Sequence, residues 1–336
     1  MPPALHPHAR GGGPPTFAVV SCIRSIATSG IAQNALATTS LYRTLLPSIA
    51  ATVTESERQL WSVKLYLCAD DDDDLYKKHA DAVISAGPSW LTIRLLFYPR
   101  VPNRVPTREA AQQALLEGAE FIHRTNDDIL YMTPGWITSS TQALARFHPP
   151  NVGIAGPKVY GDGSTNKMHG GVTIDVVHRT HLRIFREYYP PQLDNWFTDS
   201  WIVYVYVALP SVAAHQMKRV MKLTRRDNFS VSHSFEKRRY APTASQAKLL
   251  AALVECGRYA IWSYINHTLD GTKYGRPVSC RAYSKMPSEE EREKDSGSKI
   301  GVCKRRVGPV GGLEMNERDF IKSSSSVEGW CQLIRG

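Results

Sequence analysis

The feature that most constrains this chain is an alternation running from residue 17 to residue 128. Four short apolar runs, "FAVVSCI" (17–23), "SVKLYLCA" (62–69), "LTIRLLFY" (91–98) and "EFIHRTNDD" (120–128), are separated by segments with helical spacing. The first helical segment, "AQNALATTSLYRTLL" (32–46), is expected to end near Pro47, because proline has no amide to donate and crowds the preceding turn. The second, "LYKKHADAVISAG" (75–87), carries a glycine stop, and the third, "TREAAQQALLEGA" (107–119), opens on Thr107 as N-cap and ends near Gly118. Strands that alternate with helices pair in parallel through right-handed crossovers, and their apolar character on both faces asks for helices above and below. The expected fold is therefore α/β, a mostly parallel sheet flanked by helices.

Ligands of such sheets bind beyond the carboxyl ends of the strands. Two acidic groups fall there. Asp70 to Asp74 follow the second strand, and Asn126-Asp127-Asp128 closes the fourth. In the first group Asp70 stands closest to the strand and is the candidate, with the other four read as solvated. Two carboxylates on one loop can hold a hard divalent cation, Mg²⁺ or Mn²⁺, whose shell is completed by phosphate oxygens. The competing reading is an acidic turn that caps the following helix.

After residue 150 the pattern changes. "NVGIAGPKVYGDGS" and "GGVTIDVVHRTHLRIF" read as strands joined by Gly-rich turns, "YYPPQLDNWFTDSWIVYVY" is aromatic, and "SQAKLLAALVECGRYAIWSYI" (245–265) is an amphipathic helix. Most of the rings at Trp196, Phe197, Trp201, Tyr204 and Tyr206 are expected in the core, with one or two left to line a ligand site. From about residue 276 the composition is that of a disordered tail, and residues 1–15 read as a disordered start with no apolar core of a signal peptide. No run of about 18 apolar residues is present. Residues 1–207 balance 18 Lys+Arg against 18 Asp+Glu, so the whole net charge of +10 lies in the C-terminal portion. Its basic residues lack the interleaved aromatics of a single-strand binder, and no nucleic-acid partner is expected. The six cysteines show no metal or redox spacing; Cys22 and Cys68 read as buried small hydrophobes, with no disulfide framework. Asn228 and Asn266 head glycosylation sequons that matter only in a secretory lumen.

The segment "FIHRTNDDILYMTPGW" (121–136) resembles the metal-binding segment of nucleotide-sugar glycosyltransferases with the GT-A fold, in which a short D-x-D-type motif follows a core strand. Other stretches match in the family's order across roughly residues 16–266. "VVSCIRS" (19–25) resembles the first strand with its nucleotide-facing loop, and "LYLCADDDDDLY" (65–76) resembles the second strand with its acidic end. "MHGG" (168–171) resembles the loop near the donor sugar, "DNWFTDSWIVYVY" (194–206) the acceptor-side acidic segment, and "NFSVSHSFEKRRY" (228–240) the region that supplies a metal-binding histidine.

The resemblance implies a GT-A-like domain over 16–275, with a nucleotide-binding half (16–150) and an acceptor half (151–275). It implies a metal-dependent transfer of a sugar from a nucleoside-diphosphate sugar to a hydroxyl of a glycan, protein or lipid. Arg24 and Asp70 would hold the nucleoside, and Asn126 would reach ribose or lend a carbonyl oxygen. Asp127, Asp128 and His233 would hold Mn²⁺ or Mg²⁺, with Arg238 and Arg239 near the diphosphate. His169, Gly170 and Gly171 would approach the donor sugar, and Asp199 would act as general base if the reaction inverts. The chain departs from the family's pattern at Asn126 and at Ser200, where carboxylates are expected. Those departures motivate a rival, an inactive binding module of the same fold. A nucleotidyltransferase is the enzyme rival, weakened because "SCIRSIATSG" holds one glycine and one arginine where a phosphate loop is wanted. The family's usual setting suggests the Golgi or secretory pathway.

Overall fold

The computed structural model describes residues 13–25, 36–101, 104–160, 174–193, 197–207, 217–225, 244–269 and 271. The strands are β1 (Thr16–Cys22), β2 (Ser62–Asp70), β3 (Leu91–Tyr98), β4 (Ala119–Asn126), β5 (Ile129–Tyr131), β6 (Ile154–Tyr160), β7 (Asp175–His178) and β8 (Met217–Arg225). They form one eight-stranded sheet in the order β3-β2-β1-β4-β7-β6-β8-β5. β3, β2, β1 and β4 run parallel, β7 is antiparallel to β4 and β6, β8 runs parallel to β6, and β5 closes the far edge antiparallel to β8. The α/β architecture that the strand–helix rhythm requires is the one observed, a GT-A-like mixed sheet with helices on both faces.

Each sheet face builds its own core. On one face, α5 (Thr107–Leu116), α7 (Thr180–Ile184), α8 (Thr198–Val207) and α9 (Ala244–Leu269) cover Ala18, Val20, Tyr66 and Ile122. On the other, α1 (Leu46–Thr52), α3 (Asp74–Lys78), α4 (Ala80–Ile84) and α6 (Trp136–Ala145) cover Phe17, Val19, Leu65 and Phe121, and α2 (Glu55–Leu60) precedes β2. The period-two alternation of β1 and β4 thus feeds both layers. Gly257 in α9 lies where a Cβ would come within 2.5 Å of Val205 Cγ1, so its missing side chain sets how closely α9 seats on α8. Among the described residues no helix is long and apolar enough to cross a membrane.

Several local expectations are corrected. Pro47 does not end a helix: a π-helical turn over Leu41–Leu45 hands over to α1, and Pro47 sits in the first turn of α1, where an amide needs no partner. The 75–87 helix is two, α3 and α4, divided at His79, whose backbone is not helical. Thr107 is the first residue of α5 rather than its cap; Pro106 precedes it, and the Thr107 hydroxyl lies 3.4 Å from Cys22 Sγ. Residues 180–184, read as strand, form α7. Cys22 and Cys68 stand opposite each other in the β1–β2 register with Cα atoms 4.4 Å apart, and they form a disulfide, not two separate apolar positions. The stretches 26–35, 161–173 and 226–243 and everything from 272 onward lie outside the described residues, as does Asn228, while Asn266 lies within α9.

Glu57 shows how buried charge is tolerated between helices. It is fully buried, yet its Oε2 accepts from Thr54 N at 2.9 Å and from Thr54 Oγ1 at 3.0 Å, closing the α2 capping box. Its Oε1 accepts from Thr138 N at 2.7 Å, in the first turn of α6. One carboxylate therefore caps two helices at their positive ends. Replacing Glu57 by Ala orphans these donors, and a urea midpoint is expected to report about 2–3 kcal/mol of lost stability.

Candidate active site at the carboxyl edge of the sheet

Strand register decides which loops meet. Cys22 pairs with Cys68 on one side and with Asn126 on the other, and Asp70 pairs with Tyr98. β1, β2, β3 and β4 therefore end at one edge. Arg24, Asp70, Asn126, Asp127 and Asp128 are carried to that edge by parallel strands, as the sequence led us to expect.

Within the acidic run the side chains divide. Asp70 is buried at the strand end, and Asp71 and Asp72 are exposed. Asp72 pairs with Arg100; that hydrogen bond, with the fields of Arg100 and Arg24, holds its carboxyl below the ordinary range. Asp73, read as solvated, is instead buried. It accepts from Ser25 N at 2.7 Å and Ser25 Oγ at 2.8 Å, and from Tyr76 N at the start of α3. Asp73 thus ties the loop after β1, which carries Arg24, to the loop after β2.

Asn126, Asp127 and Asp128 are all partly buried, and Asp127-Asp128 forms the turn between β4 and β5. Asp127 lies close enough to Tyr76 to help raise its phenol, after burial itself. Asp128 Oδ1 is shielded from solvent. The "PGW" that follows is structural. Gly135 takes φ +77° to open α6, and Trp136 is fully buried with Nε1 donating to Thr52 Oγ1. His169, Gly170, Gly171, His233, Arg238 and Arg239 lie outside the described residues. Among the described residues no three His, Cys, Asp or Glu side chains gather as a metal cage. Two adjacent carboxylates and an asparagine amide are nevertheless hard oxygen donors, and they fit a divalent cation that takes its remaining ligands from phosphate.

Asp199 lies in the first turn of α8, half-buried, and its Oδ1 accepts from Ser200 N at 2.8 Å. Trp201 and Tyr206 are core residues, Phe197 and Tyr204 are partly buried against that core, and Trp196 lies outside the described residues.

The same edge holds a feature not anticipated from the sequence. A shallow, open cleft is lined by Arg104, Val105, Thr107, Arg108, Glu109, Arg124, Tyr189, Leu193 and Thr198. Arg124 sits opposite Asp175 in the β4–β7 register, and its guanidinium lies 5.9 Å from the centre of the Tyr189 ring. Burial pulls this guanidinium down, but the fields of Tyr189, Asp175 and Asp199 outweigh it and hold it above its ordinary value. Behind it, Asp175 is fully buried and accepts from Tyr188 Oη at 2.6 Å and Tyr189 Oη at 2.9 Å. Burial pushes the Asp175 carboxyl up, more than Arg124 and the two phenols draw it down. The available signal was periodicity: Arg124 is two residues before Asn126 on β4, so the two share a face.

No protein-family model matches the chain, and no curated protein matches it in sequence. Solved structures do resemble it. S. aureus TarS 1–349 in complex with UDP-GlcNAc is 12% identical over 76% of this chain and 71% of that one, with a TM-score of 0.44. GalNAc-T7 with UDP, GalNAc and Mn²⁺ is 11% identical over 81% of this chain and 54% of that one, with a TM-score of 0.47. Glucosyl-3-phosphoglycerate synthase from Mycobacterium tuberculosis with Mg²⁺ and UDP is 12% identical over 78% of this chain and 81% of that one, with a TM-score of 0.40. They fall in the GT-A class that the sequence resembles.

Proposed function

We propose that this chain is a metal-dependent glycosyltransferase that moves a sugar from a nucleoside-diphosphate sugar to an acceptor hydroxyl. The observation that carries the reading is the shared register of β1, β2 and β4, which delivers Arg24, Asp70 and Asn126-Asp127-Asp128 to one edge. On this reading the nucleoside lies over the loops after β1 and β2, whose mutual position is fixed by the Ser25–Asp73 bonds. Asp127 and Asp128 hold the cation, with His233 completing the set. The cation supplies charge neutralisation of the diphosphate, which leaves when the sugar is transferred. Asp199, near the field of Arg124, takes the proton of the acceptor hydroxyl. The Asp199–Ser200 hydrogen bond also suits a helix-capping role, which the test below separates.

The test is incubation with a panel of UDP- and GDP-sugars, Mn²⁺ and mixed glycan acceptors, with products resolved by charge. Release of nucleoside diphosphate supports the reading. Release of pyrophosphate would instead identify a nucleotidyltransferase. Asp199→Asn is expected to lower turnover at least 100-fold with little change in thermal midpoint if Asp199 is the base; a cap alone would lower the midpoint and leave turnover intact.

A further inference from the structure

We infer that Asn266 is an N-glycosylation site, and that the first sugars of its glycan cover the exposed aromatic pair Tyr259 and Trp262 on the outer face of α9. The inference is independent of the reaction assigned to the carboxyl edge of the sheet.

Three observations meet on α9. The first is an apolar pair on the side that faces water. Leu253, Val254, Ala260, Ile261 and Ile265 are buried and form the inner face, which seats on α8 at Gly257. Tyr259 and Trp262 are 53% and 46% exposed, with ring centroids 6.2 Å apart. Two large rings bared side by side form a patch, unlike apolar residues scattered singly over a surface. The second observation is the sequon Asn266-His267-Thr268. Trp262 stands four residues before Asn266 and Tyr259 seven, so the three share one stripe of the helix. Helical side chains lean towards the N-terminus, so a group on Asn266 Nδ2 lies over Trp262 and then Tyr259. Asn266 is partly exposed and stands in the last turn of α9, beyond which Gly271 turns the chain at φ +66°. The third observation is the state of the cysteines. Cys22 and Cys68 are bonded to each other, and Cys256, on α9 itself, is also disulfide-bonded. No cysteine among the described residues is a free thiol. Disulfides form and persist in oxidising compartments, the setting in which a sequon is an acceptor.

The chemistry is the glycosylation of an amide. A bond forms between Asn266 Nδ2 and C1 of the first sugar of a lipid-linked oligosaccharide diphosphate. The bond between C1 and the phosphate oxygen breaks, the lipid diphosphate leaves with the electron pair, and the amide gives up one proton. Thr268 supplies the hydroxyl that the sequon requires; in the folded protein its Oγ1 instead donates to the carbonyl oxygen of Tyr264 at 2.8 Å, within the helix. Attachment therefore belongs to the chain before the last turn of α9 closes, or to that turn when it frays. Once α9 has closed, the outer stripe keeps the sugar clear of α8. Its apolar C–H face meets the two rings, and its hydroxyls face water.

The full chain, produced in the secretory lumen of a eukaryotic cell behind a cleavable leader, tests this by site-resolved mass spectrometry before and after a peptide N-glycosidase. Wild type is expected to carry a glycan at Asn266, read as conversion of that residue to aspartate on enzymatic release. Asn266→Gln and Thr268→Ala are expected to lose the modification completely. Thr268→Ser is expected to keep it, which separates recognition of the sequon from damage to the helix. Reading the modified residue also separates Asn266 from the sequon at Asn228. Release of the glycan from folded wild type is expected to raise acrylamide quenching of tryptophan fluorescence, and the rise is expected to vanish in Trp262→Phe. An unmodified Asn266 in the lumen-produced chain overturns the inference, as do free thiols at Cys22, Cys68 and Cys256. A glycan at Asn266 whose release leaves the quenching unchanged overturns the cover, and the ring pair then belongs to a protein partner.

Discussion

Between pH 7 and pH 4 the protein is expected to lose about 6 kcal/mol of folding stability through two buried histidines alone. His123 is fully buried between β4 and its neighbours, with Nδ1 2.9 Å from the carbonyl oxygen of Asp175 and Nε2 bonded to Tyr131. His181 is buried with Nδ1 2.8 Å from Tyr206 Oη and Nε2 2.9 Å from the carbonyl oxygen of Tyr188. Burial pulls each imidazole down to about 4. Unfolded histidine titrates near 6.5. Above that value neither state holds the proton and stability is complete. As pH falls from about 6.5 towards 4 the unfolded chain takes up two protons that the native state refuses, so stability falls. Below about 4 the native imidazoles protonate too and the loss levels off. Each histidine contributes about 3 kcal/mol over the window, a large share of the 5–15 kcal/mol typical of a domain. The raised carboxyl of Asp175 works the other way, gaining on acidification, so the comparison must be made by difference. Urea midpoints of wild type and His123→Gln at pH 7.5, 5.5 and 4.5 make that comparison. The variant is expected to lose roughly half of the pH slope; an equal slope in both proteins would show that the buried histidine is not the acid-sensitive group.

The second large effect concerns the proposed cation site. Asp128→Asn keeps the shape of the turn between β4 and β5 and removes one charge. Electrostatic stabilisers of a leaving group are worth about 10²–10³ in turnover when one is removed. Asp128→Asn is therefore expected to lower turnover by about that factor while the thermal midpoint moves little, and excess Mn²⁺ is expected to restore part of the loss. Full activity in the variant would remove Asp128 from the metal set. Asn126→Asp, which supplies the acid that the family pattern expects, should tighten Mn²⁺ binding if Asn126 faces the cation.

The core strands were legible because they are buried on both faces and bounded by helical runs, so "FAVVSCI", "SVKLYLCA", "LTIRLLFY" and "EFIHRTN" each became a strand. Their common edge was legible for the same reason: parallel strands joined by crossovers must end together. Features that depend on pairing across long separations were not legible. The Cys22–Cys68 disulfide spans 46 residues and exists because two strands align in register, which residue spacing cannot show. Asp73 looked like any other member of an acidic run, and only the approach of Ser25 made it a buried tie. The helix boundaries at Pro47, His79 and Thr107 turned on local backbone choices worth little energy beside tertiary packing. Arg104, Arg108 and Arg124 are separated in sequence and meet only once α5 and β4 are packed. β5 and β8 gave no clear pattern; β5 is three residues long, and "MKRVMKLTR" interrupts its apolar positions with cations.

The claim on which the account turns is that the edge formed by β1, β2 and β4 receives a nucleoside diphosphate through a cation on Asp127 and Asp128. A crystal structure of the protein soaked with UDP and Mn²⁺ addresses it directly. The account predicts anomalous density for Mn²⁺ between the Asp127 and Asp128 carboxylates and the diphosphate, with the nucleoside lying over Arg24 and Asp70. Nucleotide bound elsewhere, or Mn²⁺ found away from both carboxylates, would contradict it.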